Sequence, residues 1–376
     1  MKTIKKVVAL LLASAFVLSM AACHPKDEIA LWSGDYKITS AMYSYYLIMA
    51  DAEAKDIINS SEDYDTSKSN FNYYKQKIDG KTYEEYVKDL AIQKCLSNIA
   101  LEKLCSEAKI SLDKEDKEGW QSTAQYYWSY SYGELLSKNG VSYNTYEKLM
   151  LNDALYNLYF NHLYGEKGEK EVEKEDIKEA LGKNYSAVYL ITHDYSEEKE
   201  PDVDAIEKNL EKYVTSLKDG KDFETVLGQY NKDNNVKTED EKVETENTDD
   251  KKDESDKTDQ TKKPVDENIV ILTDYEKTYS GETQLFSEYE KVEKLQKGEV
   301  ALIHDEKAKC YYIVVKKDIY ADSYYLDNLS EELLYLLKSE EYDEFLDKTV
   351  EKIDYEVNKY AMSQFKVKKI YDGIEQ

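Results

Sequence analysis

The 376-residue chain contains no arginine, only 3 prolines and 13 glycines, 7 phenylalanines and 4 cysteines. Its basic residues are all lysine, 51 of them against 78 acids, for a formal charge of −27. That balance argues against a nucleic-acid partner, which needs a cationic face. Scarce glycine and proline disfavour Gly-rich nucleotide folds and turn-rich β-sandwiches, and favour helix. The cysteines make no disulfide framework. Cys95 and Cys105 fall on one expected helix about 15 Å apart, beyond bonding reach, and with Cys310 they read as buried small hydrophobes. No apolar run beyond the amino terminus is long enough to span a bilayer. What the chain has in excess is tyrosine, 36 residues.

Lys2, Lys5 and Lys6 precede the apolar run Val7 to Leu18, and Ala21-Ala22 lead into Cys23. This is the layout of a secretory signal. Met20-Ala21-Ala22-Cys23 resembles the bacterial lipobox, with Met20 where leucine is usual. The resemblance implies a signal peptide at 1–22, lipid on Cys23, and a cell-membrane location on the extracytoplasmic face. Two acyl chains hold a protein on a membrane nearly permanently. A polar tether over 23–33 would follow.

Residues 34–182 read as a helical domain. Thr39 is an N-cap before Met42, Tyr43, Tyr46, Leu47 and Ala50 at helical spacing. Tyr83 to Ala108 carries a long apolar stripe, and Ser142 or Asn144 starts another helix. At Ala187-Val188-Tyr189-Leu190-Ile191-Thr192 the pattern changes to a buried strand, and Ile269–Thr273 and Tyr311–Lys316 are further strand candidates. Helices capped by Gly220 and Asp222 lie between them. Residues 231–267 hold fourteen acids and eight lysines with three valines as their only large apolar content, so an acidic disordered insertion is expected. From 323 to 376 the helical period returns. The fold class is α+β, with amino- and carboxy-terminal helical segments around a small α/β unit at 183–322.

Two loop motifs, Gly220-Lys221-Asp222-Phe223 and Leu295 with Gly298-Glu299-Val300, occur in this order and spacing in PrsA- and SurA-type extracytoplasmic foldases, and the chain resembles that family over nearly its whole mature length. The resemblance implies a helical chaperone-like domain around a parvulin-type peptidyl-prolyl isomerase module. It puts Tyr189 and Tyr312 where the family has its paired catalytic histidines, side by side, and Asp233 where it has a cysteine or aspartate. Both histidines are missing, and so are the proline-binding Met and Phe. A catalyst must favour the twisted amide over a barrier of roughly 18–20 kcal/mol, so a catalytically degenerate module is expected.

His24, His162, His193 and His304 show no metal-ligand spacing, and no cofactor or metal is expected. Tyr126, Tyr127, Trp128, Tyr130 and Tyr132 crowd one segment, the first four as the expected client-binding residues. Tyrosine there either replaces phenylalanine in packing or forms a client surface, apolar but kept soluble by its hydroxyl. The expected function is a membrane-anchored chaperone for unfolded exported polypeptides. The alternatives are an active peptidyl-prolyl cis-trans isomerase and a solute-binding lipoprotein.

Overall fold

The computed structural model describes residues 28–236, 266, 268–273 and 288–374. The signal segment, Cys23, the first part of the expected tether and most of the acidic insertion lie outside the described residues. In chain order the elements are β1 (Ile29–Ser33), β2 (Tyr36–Thr39), α1 (Ser40–Ser60), β3 (Lys77–Ile78), β4 (Lys81–Thr82), α2 (Tyr83–Ala108), α3 (Lys114–Tyr127), a π-helical turn (Trp128–Tyr132), α4 (Gly133–Lys138) and α5 (Tyr143–Tyr164). There follow α6 (Lys174–Asn184), β5 (Tyr185–Asp194), α7 (Val203–Lys218), α8 (Phe223–Asp233), β6 (Ile269–Thr273), α9 (Tyr289–Glu293), β7 (Val300–Asp305), β8 (Cys310–Lys316), α10 (Ser323–Val350), β9 (Glu356–Val357) and α11 (Lys359–Ser363). The chain is α+β and divides into two compact units, residues 1–171 with 338–376, and residues 172–337.

The first unit is helical and uses both ends of the chain. Thr39 caps α1, its side chain accepting from Met42 N at 3.3 Å. Thr82 and Glu85 close a reciprocal capping box on α2, and Ser142 accepts from Thr145 N to start α5. Helix α1 is buried nearly all round, as a central helix must be. Its neighbours include Phe365, Val367 and Ile370 from the carboxy terminus, all in one core cluster. Residues 29–33 depart from the expected tether. They form β1, the middle strand of a β2-β1-β9 sheet, with Ala30 and Leu31 fully buried. Gly34, at φ +59°, makes the tight turn into β2, and β9 pairs Val357 with Leu31.

Tyrosine fills much of this core. Tyr43, Tyr83, Tyr164 and Tyr342 are among its largest fully buried side chains. Tyr342, from the part of α10 that belongs to this unit, donates its hydroxyl to Tyr156 O at 3.1 Å and meets the Tyr156 and Phe160 rings edge-on. Tyr83, Tyr164 and Tyr342 thus pack as aromatics while their hydroxyls find backbone or carboxylate acceptors.

The second unit is a four-stranded antiparallel sheet in the order β6-β5-β8-β7. One face packs on α7 and α8 through Ile191, Tyr213, Phe223, Tyr230 and Ile313. The other carries Val188, Tyr312 and Val314 against Tyr289 and Val292 of α9. Both faces are covered, so β5 and β8 are apolar almost throughout. Residues 231–236, expected to open the disordered insertion, instead complete α8 and its C-terminal turn.

Candidate functional site

The tyrosine-rich segment of the first unit forms an exposed aromatic patch. Tyr126, Tyr127, Tyr130 and Tyr132 are 61%, 40%, 77% and 41% exposed. Tyr126 and Tyr130 are one helical turn apart, with ring centroids at 5.1 Å, and Tyr126 meets Tyr127 at 5.6 Å. Tyr127 and Tyr132 are five residues apart, a spacing that a regular α-helix turns to different faces. Here they meet at 6.1 Å. The π turn is the reason, because Gly133 N donates to Trp128 O across five residues. The extra residue rotates Tyr132 back beneath Tyr127, giving one continuous file of rings.

Trp128, expected in the same surface, turns the other way. It is half-buried and packs edge-on to Tyr143 at 5.7 Å and against Tyr146 at 5.8 Å. It anchors the turn to the core while the four tyrosines face out. Tyr132, crowded into the same segment of the sequence, takes its place in the patch, and the π register is what brings its ring to Tyr127. Residues 119–133 contain no charged side chain, although 34% of the chain is charged. The surface is therefore aromatic, hydroxyl and amide, the composition that lets antibody loops fit varied partners.

In the second unit the structure does not bring Tyr189, Tyr312 and Asp233 together. Tyr189 pairs across the sheet with Val315, and Tyr312 with Thr192. Their positions differ by three along the ladder, so the side chains leave opposite faces. Tyr189 stacks on Phe223 at 4.4 Å, lies under Lys317, and donates its hydroxyl to Asp266. Tyr312 is 4% exposed in the opposite core, where burial, and then its bond to the Cys310 thiol, hold its phenol far above the usual range. The expectation that the two tyrosines sit side by side is corrected by this register. The apolar run Ala187 to Ile191, packed on both faces of the sheet, carries no alternation from which its facing could be read.

Asp233 closes α8 as a fully engaged carboxylate. It accepts from Tyr213 at 2.7 Å, Lys212 at 3.0 Å and Gln229 at 2.6 Å, and the Tyr213 and Lys212 bonds hold it below the usual carboxylate range. Its three donors include neither Tyr189 nor Tyr312, whose hydroxyls bond Asp266 and Cys310 instead. A different group does assemble: His193, Tyr311 and His304 stand in one cross-strand row. His304 stacks on Tyr311 at 4.1 Å and meets the Tyr195 hydroxyl at 2.7 Å. His193 Nδ1 meets the Tyr230 hydroxyl at 2.9 Å, and burial lowers its pKa. Among the described residues no group of three His, Cys, Asp or Glu side chains could hold a metal ion. Cys95, Cys105 and Cys310 are free and buried. Among the described residues no helix is long and apolar enough to cross a membrane.

An α+β protein with a both-ended helical unit, a four-stranded antiparallel unit and an exposed tyrosine file is thus defined. No protein-family model matches the chain, and no curated protein matches it. Solved structures similar to it are foldases. The foldase protein PrsA from Lactococcus lactis is 15% identical over 93% of this chain and 100% of its own, with a TM-score of 0.38. PrsA from Streptococcus pneumoniae is 15% identical over 90% and 98%, at 0.39, and PrsA from Bacillus subtilis is 16% identical over 77% and 96%, at 0.28.

Proposed function

We propose that the chain is an extracytoplasmic chaperone, held at the membrane by lipid on Cys23, that binds unfolded exported polypeptides through Tyr126, Tyr127, Tyr130 and Tyr132. The observation that carries this reading is the exposed file of four rings on an uncharged surface of a strongly acidic protein. Its magnitude suits the task. If each ring yields about 100 Å² to a partner, at ~25 cal/mol per Å² the four supply roughly 10 kcal/mol gross. Association costs about 4–15 kcal/mol, so the net affinity is weak and the client is released readily. A charge of −27 keeps the unoccupied patch from self-association and favours basic clients. The parvulin-like unit serves as a structural or binding module, its expected catalytic positions being core aromatics and a saturated carboxylate.

The test is light scattering of reduced, denatured lysozyme with stoichiometric chain. Wild type suppresses the scattering, and serine at all four tyrosine positions abolishes most of the effect with the thermal midpoint unchanged. Equal suppression by the serine variant would rule the patch out. One observation favours the isomerase alternative, the row of His193, Tyr311 and His304. A protease-coupled Xaa-Pro peptide assay decides it: acceleration lost on His193→Ala would establish catalysis.

A further inference from the structure

Backbone pairing in the second unit leaves one edge of its sheet open. At the entry to β7, Gly298, at φ +80°, and Glu299 together oppose Lys316 in a glycine bulge: Gly298 N donates to Lys316 O at 2.8 Å, and Lys316 N donates to Glu299 O at 2.9 Å. From that pair onward, hydrogen-bonded and non-hydrogen-bonded pairs alternate along the antiparallel ladder. Ala301, Ile303 and Asp305 therefore bond β8 through Val314, Tyr312 and Cys310. The intervening residues of β8 bond β5, in keeping with Lys317 N donating to Ala187 O at 2.8 Å. The N–H and C=O groups of Val300, Leu302 and His304 consequently point away from the sheet. β7 is an outermost strand, and among the described residues none of these groups has a hydrogen-bond partner.

A row of unpaired backbone groups on an apolar strand is a template for another strand, and proteins blunt such edges with lysine, proline or a bulge. The chain has 51 lysines, yet Val300–Asp305 contains neither lysine nor proline, and the bulge ends before the strand begins. Helix α7 packs on the face that carries Val300 and Leu302, and α9 on the face that carries Ile303. The side-chain faces are thus closed, while Ala301, Leu302 and His304 stay half-exposed at the rim. A donor and an acceptor recurring together at every second residue match the backbone of an extended polypeptide.

We propose that β7 takes an extended segment of a bound polypeptide as a fifth strand, antiparallel to it and hydrogen-bonded through Val300, Leu302 and His304. This rests on the reading of the chain as a polypeptide binder and gives it a second contact, one that reads backbone rather than sequence. The client residue opposite His304 extends the row of His193, Tyr311 and His304, where cross-strand aromatic pairs are favoured. A second copy is the competing occupant, and a charge of −27 on each chain opposes it.

The experiment is fluorescence anisotropy on the whole chain with a labelled octapeptide of alternating valine and serine, and with two versions N-methylated at alternate inner residues, one on the valines and one on the serines. One version is expected to bind roughly tenfold more weakly than the parent and the other equally well, because only every second amide faces β7. Leu302→Pro removes an outward N–H that the sheet does not use. It should weaken the parent peptide by a similar factor relative to Leu302→Ala, with the two variants melting alike. Equal effects of the two methylation patterns on the wild-type chain, or a Leu302→Pro chain that binds as Leu302→Ala does, overturns the proposal. So does a dimer in sedimentation velocity that Leu302→Pro dissolves, since a second copy then owns the edge. A one-sided methylation effect in a chain that fails to suppress lysozyme aggregation would sink the chaperone reading and leave the edge site standing.

Discussion

Asp51 lies in the middle of α1 with no exposed surface. Its Oδ1 accepts from the Tyr83 hydroxyl at 2.9 Å and its Oδ2 pairs with Lys55 at 2.8 Å. It also bonds the Tyr371 phenol, which burial and then the Asp51 charge push far above its usual range. A buried carboxylate is tolerated when it is ion-paired and hydrogen-bonded, as Asp51 is by Lys55 and Tyr83. Asp51→Asn keeps the shape but replaces an acceptor by a donor and leaves Lys55 without a counter-ion. The expected loss is about 2–4 kcal/mol, read as a lower urea midpoint at unchanged slope. Glu341 gives a pH signature. Its bonds to Lys170 at 2.8 Å and Lys338 at 2.9 Å hold the carboxyl down to about 2. A folded value below the unfolded one, about 4.3, means that the stabilisation is complete above that value and disappears as pH falls towards about 2. The group is well exposed, so solvent screening limits the effect to under about 1 kcal/mol. Urea titrations at pH 6 and pH 3 should show Glu341→Gln losing less stability on acidification than wild type.

At the scale of elements, the π turn is the feature on which the tyrosine file depends. A Cβ on Gly133 would stand 2.4 Å from Trp128 O, closer than side chains tolerate, and 3.1 Å from the Trp128 Nε1, a tight contact. Gly133→Ala must therefore shift the turn, at about 1–3 kcal/mol, and carry Tyr132 away from Tyr127. Weakened aggregation suppression with helix content preserved is the expected result, and unchanged suppression would show that the register is immaterial. Helix starts were legible in the sequence because capping is local chemistry. Thr39, Ser142 and Asp222 each accept from a backbone N–H three residues on, as their residue types indicate. Strands β5, β6 and β8 were legible as branched, apolar runs. Strand β7 was not, because Gly298-Glu299-Val300 reads as a loop motif, and the π turn was not, because no residue pattern marks a five-residue hydrogen bond. The facing of Tyr189 and Tyr312 is set by register with strands distant in sequence, which a single chain segment does not encode.

Over the whole molecule, the amino- and carboxy-terminal segments meet in one unit, which takes in the carboxy-terminal chain from Lys338 onward. The sheet that joins them was hidden, since β1 reads as a linker until β9 pairs with it. Phe365, Val367 and Ile370 are buried in the same core as Tyr43 and Leu47 of α1, and Phe365 meets the Tyr43 ring at 6.0 Å. Removing residues after Asn358 deletes three large core side chains at about 2–5 kcal/mol each, together comparable to the stability of a typical domain. A chain so shortened should lose the cooperative melting of the first unit and be cut by protease within residues 28–171. A melting transition like that of the intact protein would show that the tail is dispensable.

Because Phe365, Val367 and Ile370 share one core with Tyr43 and Leu47, the scaffold of the aromatic file is closed only by two segments far apart in sequence. A copy that loses residues 359–374 leaves its exposed rings on an unsupported framework that proteases can reach. The surface patch is thus tied to the integrity of a distant segment, and damage to either is felt by both.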